Sequence, residues 1–361
     1  SEEVLKAYIT RTGFVLALEE ARAADTLIAS GAKTEAELEA ELPLLGVPLS
    51  VKESISVKGM SNNAGRTAPF SNVANEDAET VRCLKLAGAI PFIVTNTPEL
   101  CMNWETTNWA TGTTNNPYDT RRTPGGSSGG EAALISSAGS VIGVVSDIGG
   151  SSRLPAMFCG IFGHKPTPGI ISIDGHMPSA RDKQWHKFFS IGGMSRYSED
   201  LPLLLKCMMT DKTLADKLRL DEMVSNISVA LHQNIESLQV GNIALRSLKR
   251  IHEIHINQNR MPHLKCRAMV SSYPSFPNVA HFHYQIYYLF PNSSYLALFN
   301  VTEMPVTNCM VGVNSQGLPI GIQVAANKFQ DRLCLSVARE LETAFGGWVQ
   351  PPCYEPATTT A

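Results

Sequence analysis

The sequence predicts an α/β fold, and three observations carry that prediction. Helical and strand-like stretches alternate: 76–87 reads as a helix, 90–95 as a strand, 129–138 as a helix and 141–145 as a strand. The strand runs are short, apolar and bounded by Gly, Ser or Pro, which suits buried strands. The composition, 43% hydrophobic and 17% charged over 361 residues, supplies enough apolar side chains for one large core.

The elements follow in order. Residues 1–29 are helical in pattern, with Leu16, Ala17, Glu20, Ala23, Ala24, Leu27 and Ile28 on one amphipathic face. Residues 33–42 read as a short acidic helix. The apolar run LLGVPLSVKE, 44–53, leads to Lys52. The 76–87 helix is closed by Gly88. Ser127 or Ser128 is available to cap the 129–138 helix. Residues 164–169 and 175–178 are turn-rich, and 198–209 is a helix with leucines on one side. From 211 to 294 there is little sheet periodicity. A strand at 320–325 and a helix at 331–345 close the pattern, and the Pro/Thr tail 351–361 is expected to be disordered.

Several function classes are excluded. A formal net charge of −3 gives no footprint for nucleic acid. The eight cysteines form no CxxC pair; Cys83, Cys159 and Cys207 have apolar neighbours and read as reduced, buried thiols of an intracellular protein. The sequons at Asn226, Asn292 and Asn300 read as accidental. No stretch reaches the roughly 20 apolar residues that span a bilayer, and no secretory signal is present. His252, His255, His281 and His283 read as surface or packed side chains. His252 and His255 have two residues between them, where the zinc-protease helix needs three. No dinucleotide fingerprint follows a strand, so neither cofactor nor metal is expected.

Two Gly-Gly-Ser-Ser turns, 125–128 and 149–152, flank the 129–145 segment. Four readings compete for them. One is a serine-capped helix plus an ordinary glycine turn. A phosphate loop needs Gly-Lys-Ser/Thr, and no lysine follows. A nucleophile elbow needs a strand just before Gly125-Gly126-Ser127-Ser128-Gly129, but NNPYDTRR there is loop chemistry. The fourth is a serine–lysine hydrolase site using both turns. Glycines let backbone N–H groups approach a ligand, and a strand ending in such a turn suits a nucleophile with an oxyanion hole. Lys52 is available as the lysine that this reading needs.

Lys52 in GVPLSVKE, Ser127 in PGGSSGGE and Ser151 in SDIGGSSRLPA, with their spacing, resemble the amidase-signature family of serine hydrolases. The likeness is strongest to the type-2 branch of the fatty-acid amide hydrolases. It extends to NTPEL (96–100), GGMSRYSEDL (192–201), LALFNVTEMPVT (296–307), GLPIGIQVAA (317–326) and LETAFGGW (341–348). The resemblance implies a single domain, 1–361, with a mixed central sheet covered by helices on both faces. Its core would be 44–201 and 295–349. Residues 10–14 and 211–294 are shorter than the family pattern, so the sheet is expected to be incomplete in the middle.

The resemblance also implies roles. Ser151 would be the nucleophile, Ser127 the bridge after a cis peptide bond, and Lys52 the base. The N–H groups of Ile148, Gly149, Gly150 and Ser151 would hold the oxyanion, with Asp147, Arg153 and Ser128 supporting the turn. No histidine lies near the signature, so the base must be another group. Lysine serves only when neutral, and its ordinary pKa of about 10.4 leaves almost none neutral at pH 7. Burial lowers that value, so Lys52 should lie inside the fold, bonded to a serine and unpaired with carboxylate.

The implied reaction is hydrolysis of long-chain fatty-acid amides through an acyl-enzyme. The alternatives are a short-chain or broad-specificity amidase, an amidotransferase-type member, or a paralogue impaired by the short middle. The implied partners are a small lipid amide, a membrane surface reached through a segment outside this sequence, and a second copy of the chain.

Overall fold

Ten strands hydrogen-bond into one mixed sheet in the computed structural model, which describes residues 9–67, 72–180, 182, 184–222, 224, 227–231 and 268–352. The strands are β1 (Ile9–Thr12), β2 (Pro48–Lys52), β3 (Ile90–Thr95), then a small separate pair β4 (Thr107–Asn108) and β5 (Gly112–Thr113). They continue with β6 (Ile142–Asp147), β7 (Phe162–Lys165), β8 (Ser190–Ser195), β9 (Ile227–Leu231), β10 (Ala268–Pro274), β11 (Val306–Val313) and β12 (Pro319–Ala326). The order across the sheet is β1-β3-β2-β6-β8-β7-β11-β12-β10-β9.

The three strands β3, β2 and β6 are parallel, with Leu49 opposite Ile142 and Val51 opposite Val144. Parallel strands are covered on both faces, and every residue of β2 after Pro48 is buried, as is all of β6. Alternate residues of β6 enter different cores. Ile142 and Val144 join the large cluster with Leu84, Leu204 and Leu333, whereas Val145 packs with Ala132, Ile135 and Ala156.

The helices that supply these side chains cover the sheet. They are α1 (Phe14–Ala29), α2 (Glu35–Glu41), α3 (Glu79–Leu86), α4 (Gly129–Ser136), α5 (Arg153–Phe158), α6 (Trp185–Phe188), α7 (Asp200–Met208), α8 (Lys212–Leu218), α9 (Ile286–Leu289), α10 (Ser294–Val301) and α11 (Asp331–Phe345). Thr34 and Glu37 close a reciprocal capping box on α2.

The structure corrects several expectations. Residues 9–12 are a strand, paired antiparallel with β3, and the helix begins only at Phe14. Ala17 and Ala24 are its buried residues, while Leu16 is exposed; residues 1–8 lie outside the described residues. Neither Ser127 nor Ser128 caps α4 through its side chain. Thr106 Oγ1 does so instead, accepting from Gly129 N at 3.1 Å. His164 and Lys165, expected in a turn, end β7.

The largest correction concerns 211–294. Two of its segments, β9 and β10, pair in parallel and join the sheet through β12, with Val270 opposite Ala326 and Val229. A long apolar neighbour, β12, recruits a serine-interrupted segment whose own pattern is weak; pairing context outweighs local propensity. Residues 232–267, including His252 and His255, lie outside the described residues, as does the tail from 353. Cys159, Cys207, Cys309 and Cys334 are buried and Cys83 and Cys101 half-buried, none of these six in a disulfide. Among the described residues no helix is long and apolar enough to cross a membrane.

Candidate active site

Lys52 is the last residue of β2, and its side chain is fully buried. Its Nζ lies 2.6 Å from Ser127 Oγ and 3.0 Å from Ser146 Oγ. No carboxylate comes within ion-pair distance of it among the described residues. Burial pushes the Lys52 ammonium down from its ordinary pKa, against a weaker upward pull from Cys101, Asp147 and Glu131.

Ser127 follows a cis peptide bond to Gly126 and sits just before α4. Gly126 is wedged against the backbone of 103–104: a Cβ there would lie 2.6 Å from Asn103 O. Thr97 Oγ1 donates to Ser127 O at 2.9 Å, fixing the following peptide, Ser127–Ser128.

The second turn stands beside the first. Ser128 N donates to Ser151 O at 3.2 Å, which ties the two turns together. Ser151 is 5% exposed, and its hydroxyl makes no hydrogen bond among the described residues, so none joins it to Ser127 here. Asp147, at the end of β6, holds this turn. Its carboxylate accepts from Gly150 N at 2.8 Å, Ser152 N at 3.0 Å and Ser152 Oγ at 2.7 Å. Arg153 grips the same carboxylate through two nitrogens, at 3.1 and 3.0 Å. Arg153 also donates to Leu296 O and Asn300 Oδ1 on α10, at 3.0 and 2.7 Å. Burial pushes the Asp147 carboxyl up, but the Arg153 guanidinium outweighs it and holds the group well below the usual carboxylate range.

One expected oxyanion donor is therefore engaged elsewhere. The N–H of Gly150 points at Asp147, whereas those of Ile148, Gly149 and Ser151 have no backbone or side-chain acceptor among the described residues. Ser128 stays inside the fold, its Oγ 3.5 Å from Ser146 O.

The structure adds residues that sequence reasoning missed. His176 stands one residue behind Lys52: its Nε2 lies 3.0 Å from Ser146 Oγ, contrary to the expectation that no histidine lies near the signature. Cys101 Sγ is 3.4 Å from Thr97 Oγ1. Burial pushes that thiol up, but Lys52 and His176 outweigh it and bring it down to about 6. Glu131, on α4, is buried against Ser50 and Thr95. Burial pushes its pKa up to about 7, against those hydrogen bonds and Lys52. No motif marked these positions; only a buried glutamate inside an apolar helix, EAALI, was a readable signal.

Of the four histidines considered as ligands, two are described. His281 is buried with its ring edge-on to Phe158, and His283 Nδ1 pairs with Glu105 Oε1 at 3.0 Å. No group of three or more His, Cys, Asp or Glu among the described residues is placed to hold a metal ion.

Comparison with known proteins gives the fold and the family. A solved peptide amidase from Stenotrophomonas maltophilia superposes with a TM-score of 0.74, covering 96% of this chain and 90% of that one, at 17% identity. A 6-aminohexanoate cyclic dimer hydrolase superposes at 0.71, with 98% and 92% covered and 20% identity. Fatty-acid amide hydrolase 2-A of Danio rerio is 34% identical, covering 97% of this chain and 87% of its own length. Fatty-acid amide hydrolase 2 of Homo sapiens is also 34% identical, covering 95% and 83%. The family model described as Amidase matches residues 3–257. With a sheet of this topology and relatives aligned along almost its whole length, the chain belongs to the amidase family of amide-hydrolysing enzymes.

Proposed function

We propose that this amidase is a serine hydrolase of N-acyl amides in which Ser151 attacks, Ser127 relays and Lys52 accepts the proton. One observation carries the reading: a buried, carboxylate-free lysine bonded at 2.6 Å to a serine whose turn abuts a second serine with an uncommitted hydroxyl. Neutral Lys52 takes the proton of Ser127 as Ser127 takes that of Ser151. The Ser151 oxygen adds to the amide carbonyl, and the N–H groups of Ile148, Gly149 and Ser151 face the oxygen that becomes negative. On collapse, Lys52 returns the proton through Ser127 to the leaving amine, and water then hydrolyses the acyl-enzyme. The relay needs Ser151 turned toward Ser127; hydrogen bonds of this kind commonly tighten only with substrate in place.

The acyl class is proposed from the relatives, which are named for fatty-acid amides. The exposed apolar residues of α1, Phe14, Val15 and Leu16, favour a peripheral membrane contact, where a lipid amide would be met. One observation favours slow turnover of long chains. The Danio rerio alignment spans 463 positions against a chain of 361, so at least 102 positions have no counterpart here. A long-chain and an acetyl N-acylethanolamine, assayed side by side, separate the readings.

The decisive experiment is labelling with a fluorophosphonate, followed by peptide mapping. The adduct is expected on Ser151 and should vanish in Ser151→Ala. An adduct on Ser127 or Ser128, or one surviving that substitution, overturns the assignment.

A further inference from the structure

His176 holds a hydrogen-bond polarity that the proposed base requires. Its Nδ1 lies 2.9 Å from Pro178 O. A carbonyl only accepts, so Nδ1 carries the proton, and Nε2 of the neutral ring is an acceptor. That acceptor faces Ser146 Oγ at 3.0 Å and Ser54 Oγ at 3.1 Å. Ser146 Oγ in turn lies 3.0 Å from Lys52 Nζ.

Neutral Lys52 has two N–H donors and one lone pair. Work as a base requires that the lone pair face Ser127, so a hydrogen on Nζ must be accepted elsewhere. Ser146 Oγ, at 3.0 Å, is placed to accept one such hydrogen, and Cys101 faces the same amine. The Ser146 hydroxyl proton has two directions open: toward His176, or back onto the Lys52 lone pair. The second would occupy the electrons that Ser127 needs.

We infer that His176 is a positioning residue: it draws the Ser146 hydroxyl proton away from Lys52, which keeps the Lys52 lone pair on Ser127. The inference rests on the Ser-Ser-Lys reading above. The ring is held for this. Ser56 N bonds Gly175 O at 3.0 Å and Met177 N bonds Ser54 O at 2.7 Å, so the chain on both sides of His176 is pinned to the loop that follows Lys52. Phe189 packs on the ring with centroids 4.6 Å apart. The charged or titratable groups around the pair are Cys101, which faces both His176 and Lys52, and Asp147 and Glu131, which act on Lys52.

His176→Leu tests this, with His176→Gln as the variant whose amide keeps an acceptor beside a donor, and Ser146→Ala as the background that removes the proton in question. In His176→Leu the Ser146 proton turns to Lys52. The kcat for amide should fall about tenfold, by analogy with the loss of a hydrogen-bond partner behind a metal ligand, with KM unchanged. A hydrogen bond to the neutral amine also favours that form, so the acidic limb of the pH–kcat profile should move to lower pH as the plateau drops. His176→Gln should recover most of the rate. In Ser146→Ala, adding His176→Leu should change kcat by less than about twofold, because coupled sites are not additive.

A drop that persists undiminished in the Ser146→Ala background overturns the inference, as does a His176→Leu profile with the wild-type limb. So does a thermal unfolding loss that tracks the rate loss across all variants. The rate of Ser151 labelling by fluorophosphonate separates the two levels. A labelled wild type with no His176 effect overturns this inference alone; a wild type that takes no label overturns the hydrolase reading and this inference with it.

Discussion

The tetrapeptide Gly-Gly-Ser-Ser occurs twice, at 125–128 and 149–152, and the two copies do different things. In the first, the third residue is tied down: Ser127 Oγ bonds Lys52 and its carbonyl accepts from Thr97. In the second, the hydroxyl of the third residue is uncommitted, while the second and fourth residues are tied. Gly150 and Ser152 are both bonded to Asp147, while the Ser151 hydroxyl has no partner among the described residues. The difference comes from the neighbours. The first turn meets a buried lysine at the end of β2, whose pKa burial lowers; the second meets a carboxylate at the end of β6, locked by Arg153. A buried amine and a buried carboxylate thus select opposite members of the same four residues.

The largest effects should come from breaking that division. Ser127→Ala and Lys52→Ala should each lower amide turnover by about 10²–10⁴-fold, the usual weight of proton transfer in the transition state. Ser152→Ala, which removes a side-chain tie of the second turn to Asp147, should leave Ser151 labelling intact and instead cost about 1–3 kcal/mol of stability. Matched amide and ester substrates sharpen this further. An alkoxide leaves with less need of a proton, so Lys52→Ala should spare the ester more than the amide. Equal losses would remove Lys52 from the leaving-group step.

Next is the carboxylate itself. Asp147→Asn leaves the Arg153 guanidinium buried without its partner, which should cost about 3–5 kcal/mol. Asp147 also has a folded pKa below its unfolded one. Its contribution to stability is therefore complete above the unfolded value of about 3.9 and is lost as pH falls toward the folded value. Stability measured by denaturant titration should fall with acid less steeply in Asp147→Asn than in the wild type below about pH 4. Parallel slopes would mean that Asp147 is not ionised in the turn.

What could be read from the chain follows the same division. Lys52, Ser127 and Ser151 stand in long, distinctive local strings, and β2, β3, β6 and α11 show their own periodicity. The groups around them do not. His176 reaches Ser54 across 122 positions and Ser146 across 30. Cys101 sits near Lys52 only because the turn at 99–101 folds back, with Leu100 and Cys101 at φ of 52° and 59°. Strands β9 and β10 owe their place to β12, not to their own alternation. The use of Gly150 N by Asp147 was equally invisible, since sequence names the donor but not its direction.

The smallest effect separates the two glycines of the second turn. Gly150 has φ +107°, and a Cβ there would lie 2.4 Å from Leu296 Cδ1 and 2.7 Å from Leu296 Cβ. Leu296 is fully buried on α10, and Arg153 holds that helix through Leu296 O, so it has little room to move. Gly150→Ala should cost about 1–3 kcal/mol by backbone strain and crowding. Gly149 has nothing within 4 Å of its Cβ position. Gly149→Ala should therefore stay within about 0.5 kcal/mol of the wild type. Thermal unfolding of the two variants measures the contrast, and the fluorophosphonate rate adds its meaning. The open space over Gly149 is where the substrate oxygen would approach its N–H. A methyl there should slow Ser151 labelling in a protein that unfolds like the wild type. A Gly149→Ala variant as unstable as Gly150→Ala would show that α10 presses on the whole turn, and one that labels at the wild-type rate would remove the Gly149 N–H from the oxyanion hole.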